Sequence, residues 1–369
     1  MSALLNWLAF AGLLLALAML GMNWLIRRSL AAPRVPEAGE PVGLPWQAVR
    51  IATLRGRRLF GWFIPAGEGA PALAIVHGWG GNAELMLPLA APLHRAGYAL
   101  LFFDARCHGR SDDDSFASLP RFAEDLGAAV DWLRGRPEVA AGRVGVIGHS
   151  VGAGAALLLA SRRHDLAAVI SLAAFAHPAA MMRRWLAAKG VPYWPVGAYI
   201  LWYVQRVIGH RFDDIAPCHT IARVACPVLI AHGCDDAVVP VAEAEQIHAS
   251  RGTARARLLL MPGSHDEYAD LEHHLDTLVG FLDEAMGPRR GRATFLLRLR
   301  SIGVNHAFYR DNTKAKGRNC HAHQSGKRVD QALPGCRRRL SFRHRAEPLP
   351  GPSGRPASGG PHGLIGGRR

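Results

Sequence analysis

The sequence predicts an α/β architecture, a mostly parallel sheet with helices on both faces. Three observations carry this. Short β-branched or apolar runs alternate with helical stretches from residue 49 to 285, a rhythm that implies parallel strands joined by crossover helices. The stretch 143–163 links a buried-strand run, 144–147, to an Ala- and Leu-rich helix through Gly148-His149-Ser150-Val151-Gly152. Acidic and histidine residues also stand just past later strand-like runs, where parallel strands present their loops along one rim.

Taken in order, residues 3–26 hold no charged side chain and are dominated by Leu, Ala, Met, Trp and Phe. Such a run is long enough to span a bilayer as a helix, with Trp7 and Trp24 near its ends. No Lys or Arg precedes it and Arg27-Arg28 follows directly. The positive-inside tendency then makes residues 1–28 a single-pass anchor with the bulk of the chain in the cytoplasm. Ser29-Leu30-Ala31 imitates a cleavage site, so an exported protein is the alternative. Residues 29–46, rich in Pro and Gly, read as a linker to a main domain at 47–286.

Within that domain, 49–54 and 58–64 read as a β-hairpin, 72–76 as a strand and 84–96 as a helix. A strand at 98–103 ends in Asp104, and 119–134 is an amphipathic helix. After the 144–147 strand and the helix at 151–161 come strands at 167–174, 228–231 and 256–261, with a closing helix at 270–285. Some fifty residues between the strand at 167–174 and the one at 228–231 break the rhythm and hold Trp185, Tyr193-Trp194 and Tyr199 to Tyr203. We expect a helical lid at about 176–226; extra helices completing the core are the plainer alternative.

The net charge of +15 invites a nucleic-acid reading. Residues 287–369, however, carry 19 Lys and Arg against 3 Asp and Glu, leaving 25 against 26 in the rest. The body is neutral, and nucleic acid is not an expected partner for it. The tail lacks a sustained apolar period, and disorder is its default. It is either an extension read from a non-native frame or a basic arm for anionic lipid or nucleic acid. Six cysteines show no C-x-x-C spacing, so no zinc site is suggested.

G-x-S-x-G at a strand-to-helix turn needs small flanking residues, because the backbone at the serine is strained. It would hold the Ser150 hydroxyl above the sheet edge, beside N–H groups of a helix N-terminus. The bland alternative is a small residue in a tight turn. A serine nucleophile further needs a base, an acid to orient the base, and oxyanion donors. His265 follows the 256–261 strand in Pro262-Gly263-Ser264-His265-Asp266. Asp235 and Asp236 follow the 228–231 strand and compete for the acid role. His77-Gly78-Trp79-Gly80-Gly81 ends a strand in a Gly-rich loop, a source of close backbone N–H groups. The N–H groups of Trp79 and Val151 are the natural oxyanion donors. Asp104 to Ser111 reads as architectural.

With these residues in place, the chain from about 49 to 285 resembles an α/β-hydrolase of the serine esterase, lipase and aminopeptidase-like group. The family motifs match His77-Gly78, the D-x-R-x-H-G-x-S segment at 104–111, the elbow at 148–152, H-G-x-x-D-x-x-V-P at 232–240 and G-x-H at 263–265. The resemblance selects Asp236 over Asp235. It implies a Ser150, Asp236, His265 triad that cleaves carboxylic esters through an acyl-enzyme, without a cofactor or metal. The aromatic insertion and the anchor make a lipid-like ester the expected substrate. A peptidase of the aminopeptidase type is the nearest alternative; a membrane-tethered binding protein using the basic tail is the alternative of another class.

Overall fold

Eight short apolar runs assemble into one sheet: β1 (Gln47–Ala52), β2 (Arg58–Ile64), β3 (Ala70–Val76), β4 (Ala99–Phe103), β5 (Val139–His149), β6 (Val169–Leu172), β7 (Val228–Gly233) and β8 (Ala256–Met261). Their order is β1-β2-β4-β3-β5-β6-β7-β8. β1–β2 and β2–β4 are antiparallel, and every other pair is parallel. The structure, a computed structural model, describes residues 2–266 and 271–287. The tail expected to be disordered lies, apart from Gly287, outside the described residues.

The helices are α1 (Ser2–Ser29), α2 (Ala90–Arg95), α3 (Leu119–Arg134), α4 (Val151–Ala160), α5 (Pro178–Ala188), α6 (Ala198–Ile208), α7 (Phe212–Ile215), α8 (Pro217–Thr220), α9 (Val241–Ala249) and α10 (Leu271–Met286). The single helix expected at 84–96 is instead a 3₁₀ segment, Ala83–Leu89, followed by α2. Pro88 and Pro92 lack the N–H that a continuous α-helix there would use. α9 went unread because its Ala/Glu pattern has a weak apolar period. α5 to α8 occupy the interval expected to hold a lid.

β3 is buried along its whole length, as a central parallel strand must be. Its alternate residues feed two core layers. Ala72, Ala74 and Val76 pack with Phe122 and Leu126 of α3 and Leu157 of α4. Leu73 and Ile75 pack on the other face with Leu93 of α2 and Leu278 and Leu282 of α10. Full burial of each such large aliphatic side chain contributes about 1.5–3 kcal/mol. Arg143 donates to the carbonyls of Met286 and Gly287, both at 2.8 Å, closing the C-terminal end of α10.

The loop after β4 is tied down by charge. Arg106, only 1% exposed, places Nε 2.7 Å from Asp125 Oδ1 and Nη2 2.5 Å from Glu124 Oε2. Its backbone N–H donates to Asp125 Oδ2 at 2.9 Å. Burial pushes Asp125 up to about 6, against the pull of Arg106.

Residues 30–39 lack helix or strand yet are fastened across this loop. Leu30 O accepts from Ala117 N–H at 3.0 Å, Arg34 donates to Gly109 and Ser111 carbonyls, and Ala38 N–H donates to Glu84 at 2.8 Å. Glu37 pairs with Arg110 at 2.6 Å and hydrogen-bonds Asp104, which accepts from the N–H groups of Ala83 and Arg110. Burial and the neighbouring Asp104 push the Glu37 carboxyl up to about 8.

Two outcomes follow from these charges. Asp125→Ala removes the buried partner of the Arg106 Nε and backbone N–H and should cost about 3–5 kcal/mol in denaturant unfolding. Glu37, whose carboxyl is raised from 4.5 to about 8 on folding, contributes stability fully below the lower value and loses it as pH rises through the upper one. The melting temperature should therefore fall between those two pH values, and Glu37→Gln should flatten that slope.

Candidate active site

The site lies along the C-terminal ends of β5, β7 and β8, where parallel strands turn into loops. Ser150 links β5 to α4 with φ 53° and ψ −114°. A non-glycine residue there is strained by roughly 1–3 kcal/mol, and its neighbours must hold it. A Cβ on Gly148 would lie 2.1 Å from Gly152 O, and one on Gly152 would lie 2.4 Å from His77 O. Both glycines are thus required for the turn to close against β3. Ser150 N–H donates to Leu172 O of β6 at 2.8 Å, which completes the hold.

Three candidate residues from separate loops meet here. Ser150 Oγ lies 3.1 Å from His265 Nε2, and His265 Nδ1 lies 2.7 Å from Asp236 Oδ2. Asp236 Oδ1 accepts from the N–H groups of Val238 at 2.9 Å and Val239 at 2.7 Å. Burial alone would raise this carboxyl; hydrogen bonds from His232, His265 and Val239 overcome it and hold it well below the usual carboxylate range. Asp236 is buried, whereas Asp235 is exposed and faces away.

Trp79 and Val151, the other two candidates, flank the serine. Val151 is the first residue of α4, so its N–H has no carbonyl to meet within the helix. The peptide before Trp79 is set by His77. Its Nδ1–H donates to Gly78 O at 2.7 Å, while its Nε2 accepts from Ala105 N–H at 3.1 Å. In a trans peptide the C=O and the next N–H point in opposite directions, so Trp79 N–H is aimed away from His77. A Cβ on Gly78 would lie 3.1 Å from Ser150 Cβ, which places this peptide beside the serine.

Several histidines hold backbone here: His108 lies in the 104–111 segment read as architectural, while the bracing by His77, His149 and His232 was not read from the sequence. His108 Nδ1–H donates to Arg106 O at 2.9 Å, and its Nε2 accepts from Gly80 N–H at 3.2 Å. His149 Nε2–H donates to His265 O at 2.9 Å, fixing the loop that carries the base candidate. Burial pushes His77 down to about 3 and lowers His108 and His149, so all three stay neutral and keep one donor and one acceptor each. His232, fully buried, lies 3.2 Å from Asp236 Oδ2 and 2.8 Å from Val239 O. The only sequence signal for it is its place in H-G-x-x-D.

Among the described residues two groups have metal-like composition, His149/His265/Asp266 and His177/Asp213/His219. In the first, both His265 ring nitrogens are taken by Ser150 and Asp236. In the second, His177 Nδ1 accepts from Ala179 N–H, so its Nε2 carries the hydrogen it shares with Asp213 instead of a free lone pair. Neither donor set suits a cation. Above Ser150 opens a cavity of about 860 Å³, walled by apolar side chains such as Met181, Met182 and Phe212.

The family described as serine aminopeptidase, S33, matches residues 68–210. The uncharacterized protein Rv2307c of Mycobacterium tuberculosis is 30% identical over 261 residues, covering 69% of this chain and 85% of the relative. YfhR of Escherichia coli is 27% identical over 258 residues, covering 66% and 84%. Among solved structures, the Pyrococcus furiosus esterase Pf2001 aligns at 23% identity and TM-score 0.56, covering 69% of this chain and 100% of that one. The α/β hydrolase GrgF from Penicillium sp. sh18 aligns at 22% identity and TM-score 0.53, covering 66% and 99%. The sheet order, the glycine-flanked turn at Ser150 and these matches together establish that this chain belongs to the α/β-hydrolase superfamily.

Proposed function

We propose that this chain is a serine hydrolase that cleaves carboxylic esters with apolar acyl groups. The observation that carries this is the hydrogen-bonded line Ser150–His265–Asp236 at the floor of an apolar cavity. Ser150 Oγ forms the bond to the acyl carbon while His265 takes its proton; the ester C–O bond breaks and the departing alkoxide receives that proton from His265. Water, deprotonated by His265, then releases the acid and restores the serine. Trp79 and Val151 N–H groups hold the oxyanion, a contribution of about 3–4 kcal/mol per donor in such sites. Asp236 holds the His265 tautomer, and no cofactor enters any step.

The hydrolase unit is 47–286, with 176–226 as a lid over the cavity. α1 is its single-pass anchor, with Arg27 and Arg28 on the cytoplasmic side. The match to a serine aminopeptidase family favours peptide substrates as a second reading. Against it, the described cavity lining holds one carboxylate, the exposed Asp266, where a free α-amino group would need a buried anionic partner.

Ser150→Ala should abolish fluorophosphonate labelling and lower p-nitrophenyl butyrate hydrolysis by roughly 10⁴-fold or more, with Tm unchanged. Retained hydrolysis would sink the mechanism. Asp236→Asn, which favours the wrong tautomer, should cost roughly 10⁴-fold in kcat. Acyl esters should be turned over faster than aminoacyl arylamides; the reverse preference would establish the peptidase reading.

A further inference from the structure

α1 changes character along its length. Residues 2–21 are exposed without exception. At 1.5 Å per residue they extend about 30 Å, close to the thickness of a bilayer's hydrocarbon core. From Met22 onward the helix packs on the protein instead: Met22 and Asn23 are half-buried and Ile26 is buried in the core. The partner is α6. Tyr199 Oη donates to Asn23 Oδ1 at 2.7 Å, and Arg27 Nε donates to Tyr203 Oη at 2.8 Å with the guanidinium over the tyrosine ring. These contacts to the last turns of α1 suit a permanent anchor and would be lost with a cleaved leader.

α6 has a second face. Its Val204 and Ile208 line the cavity above Ser150, as do Ser29 and Leu30 where α1 ends. Ser29 and Trp185 are both exposed and both part of the lining, which marks the mouth of the cavity. Exposed indoles stand on the elements that frame this mouth: Trp185 of α5 in the lining itself, Trp24 on α1, and Trp202 on α6 with its ring 5.6 Å from Tyr199, the residue that holds Asn23 of α1. Indoles at the end of a membrane-length helix belong at the interface between hydrocarbon and water. The mouth begins about eight residues beyond the exposed span, or about 12 Å along the helix axis, within reach of the headgroup layer.

We infer that the cavity is filled from the bilayer: its substrate is a membrane-resident lipid ester, whose acyl chain passes between the end of α1 and α5–α6 to bring the carbonyl to Ser150. This rests on Ser150 being the nucleophile. The apolar wall matches an acyl chain, and the docked anchor keeps the mouth against the leaflet that supplies it.

The test uses the full chain reconstituted in phosphatidylcholine vesicles. A fluorogenic long-chain diacylglycerol ester is placed either in the same vesicles or in separate protein-free ones, with p-nitrophenyl butyrate as a soluble control. Confinement to one bilayer should make the same-vesicle ester react at least about tenfold faster than the separate one. Trp202→Glu, which removes an interfacial indole outside the cavity lining, should lower the same-vesicle rate about fivefold and leave the soluble rate within about twofold. Equal rates from the two vesicle arrangements, hydrolysis of the soluble ester alone, or a same-vesicle rate unmoved by Trp202→Glu would overturn delivery from the bilayer while leaving Ser150 chemistry standing. Loss of all Ser150-dependent hydrolysis and of fluorophosphonate labelling would overturn the underlying reading as well.

Discussion

The strained backbone at Ser150 is the constraint on which the rest of the site depends. Three strands converge to hold it: β5 leads into the turn, β6 accepts its N–H, and β3 ends against Gly152. Behind it α4 is buried at every residue after Val151, so the apolar layer that packs on the sheet also keeps the turn from relaxing. Strain of about 1–3 kcal/mol persists because release would pull α4 out of the core, where each buried Leu contributes a similar amount. The hydroxyl is therefore positioned by the central sheet and not by its own loop.

Around this turn the charges are arranged by burial. His77, His108 and His149 remain neutral: the first two use both ring nitrogens to hold the backbone around the Trp79 loop, and the third uses Nε2–H to hold the loop of His265. Asp236 is the buried ionised group, kept so by four donors. His265 is the histidine whose two nitrogens face side chains on either side, one carboxylate and one hydroxyl. That difference in partners sets the proposed base apart from three histidines that serve as fixed hydrogen-bonding braces. The Glu37–Asp104 pair extends the bracing outward, joining the segment after α1 to the loop beside Trp79.

The insertion after β6 couples α1 to the cavity through a single helix. α6 meets α1 with Tyr199 and Tyr203 and meets the cavity with Val204 and Ile208. One helix thus carries both the contacts to α1 and part of the cavity wall. Its aromatic residues divide accordingly, some toward α1 and others, such as Trp202, toward the surroundings.

Local signals were legible in the chain: α3 lies where its amphipathic period places it, and β8 matches its apolar run, because side-chain periodicity acts over a few residues. The elbow, the strand-end loops and the apolar span at the start were readable for the same reason. Asp235 and Asp236 were not separable from local pattern, since adjacent residues share a loop and only packing turns one toward His265 and the other outward. Nor did the sequence show that His77 and His108, from the loops after β3 and β4, and His149 and His232, at the ends of β5 and β7, brace one rim, or that residues 30–39, Pro-rich and linker-like, are pinned by Arg34 and Glu37. Their partners lie dozens of residues away, and what brings them together is the order of strands in the sheet. Only the folded chain, by placing β3 between β4 and β5, decides which loops share an edge, and only its packing brings Ser29 and Leu30 at the end of α1 into the cavity lining.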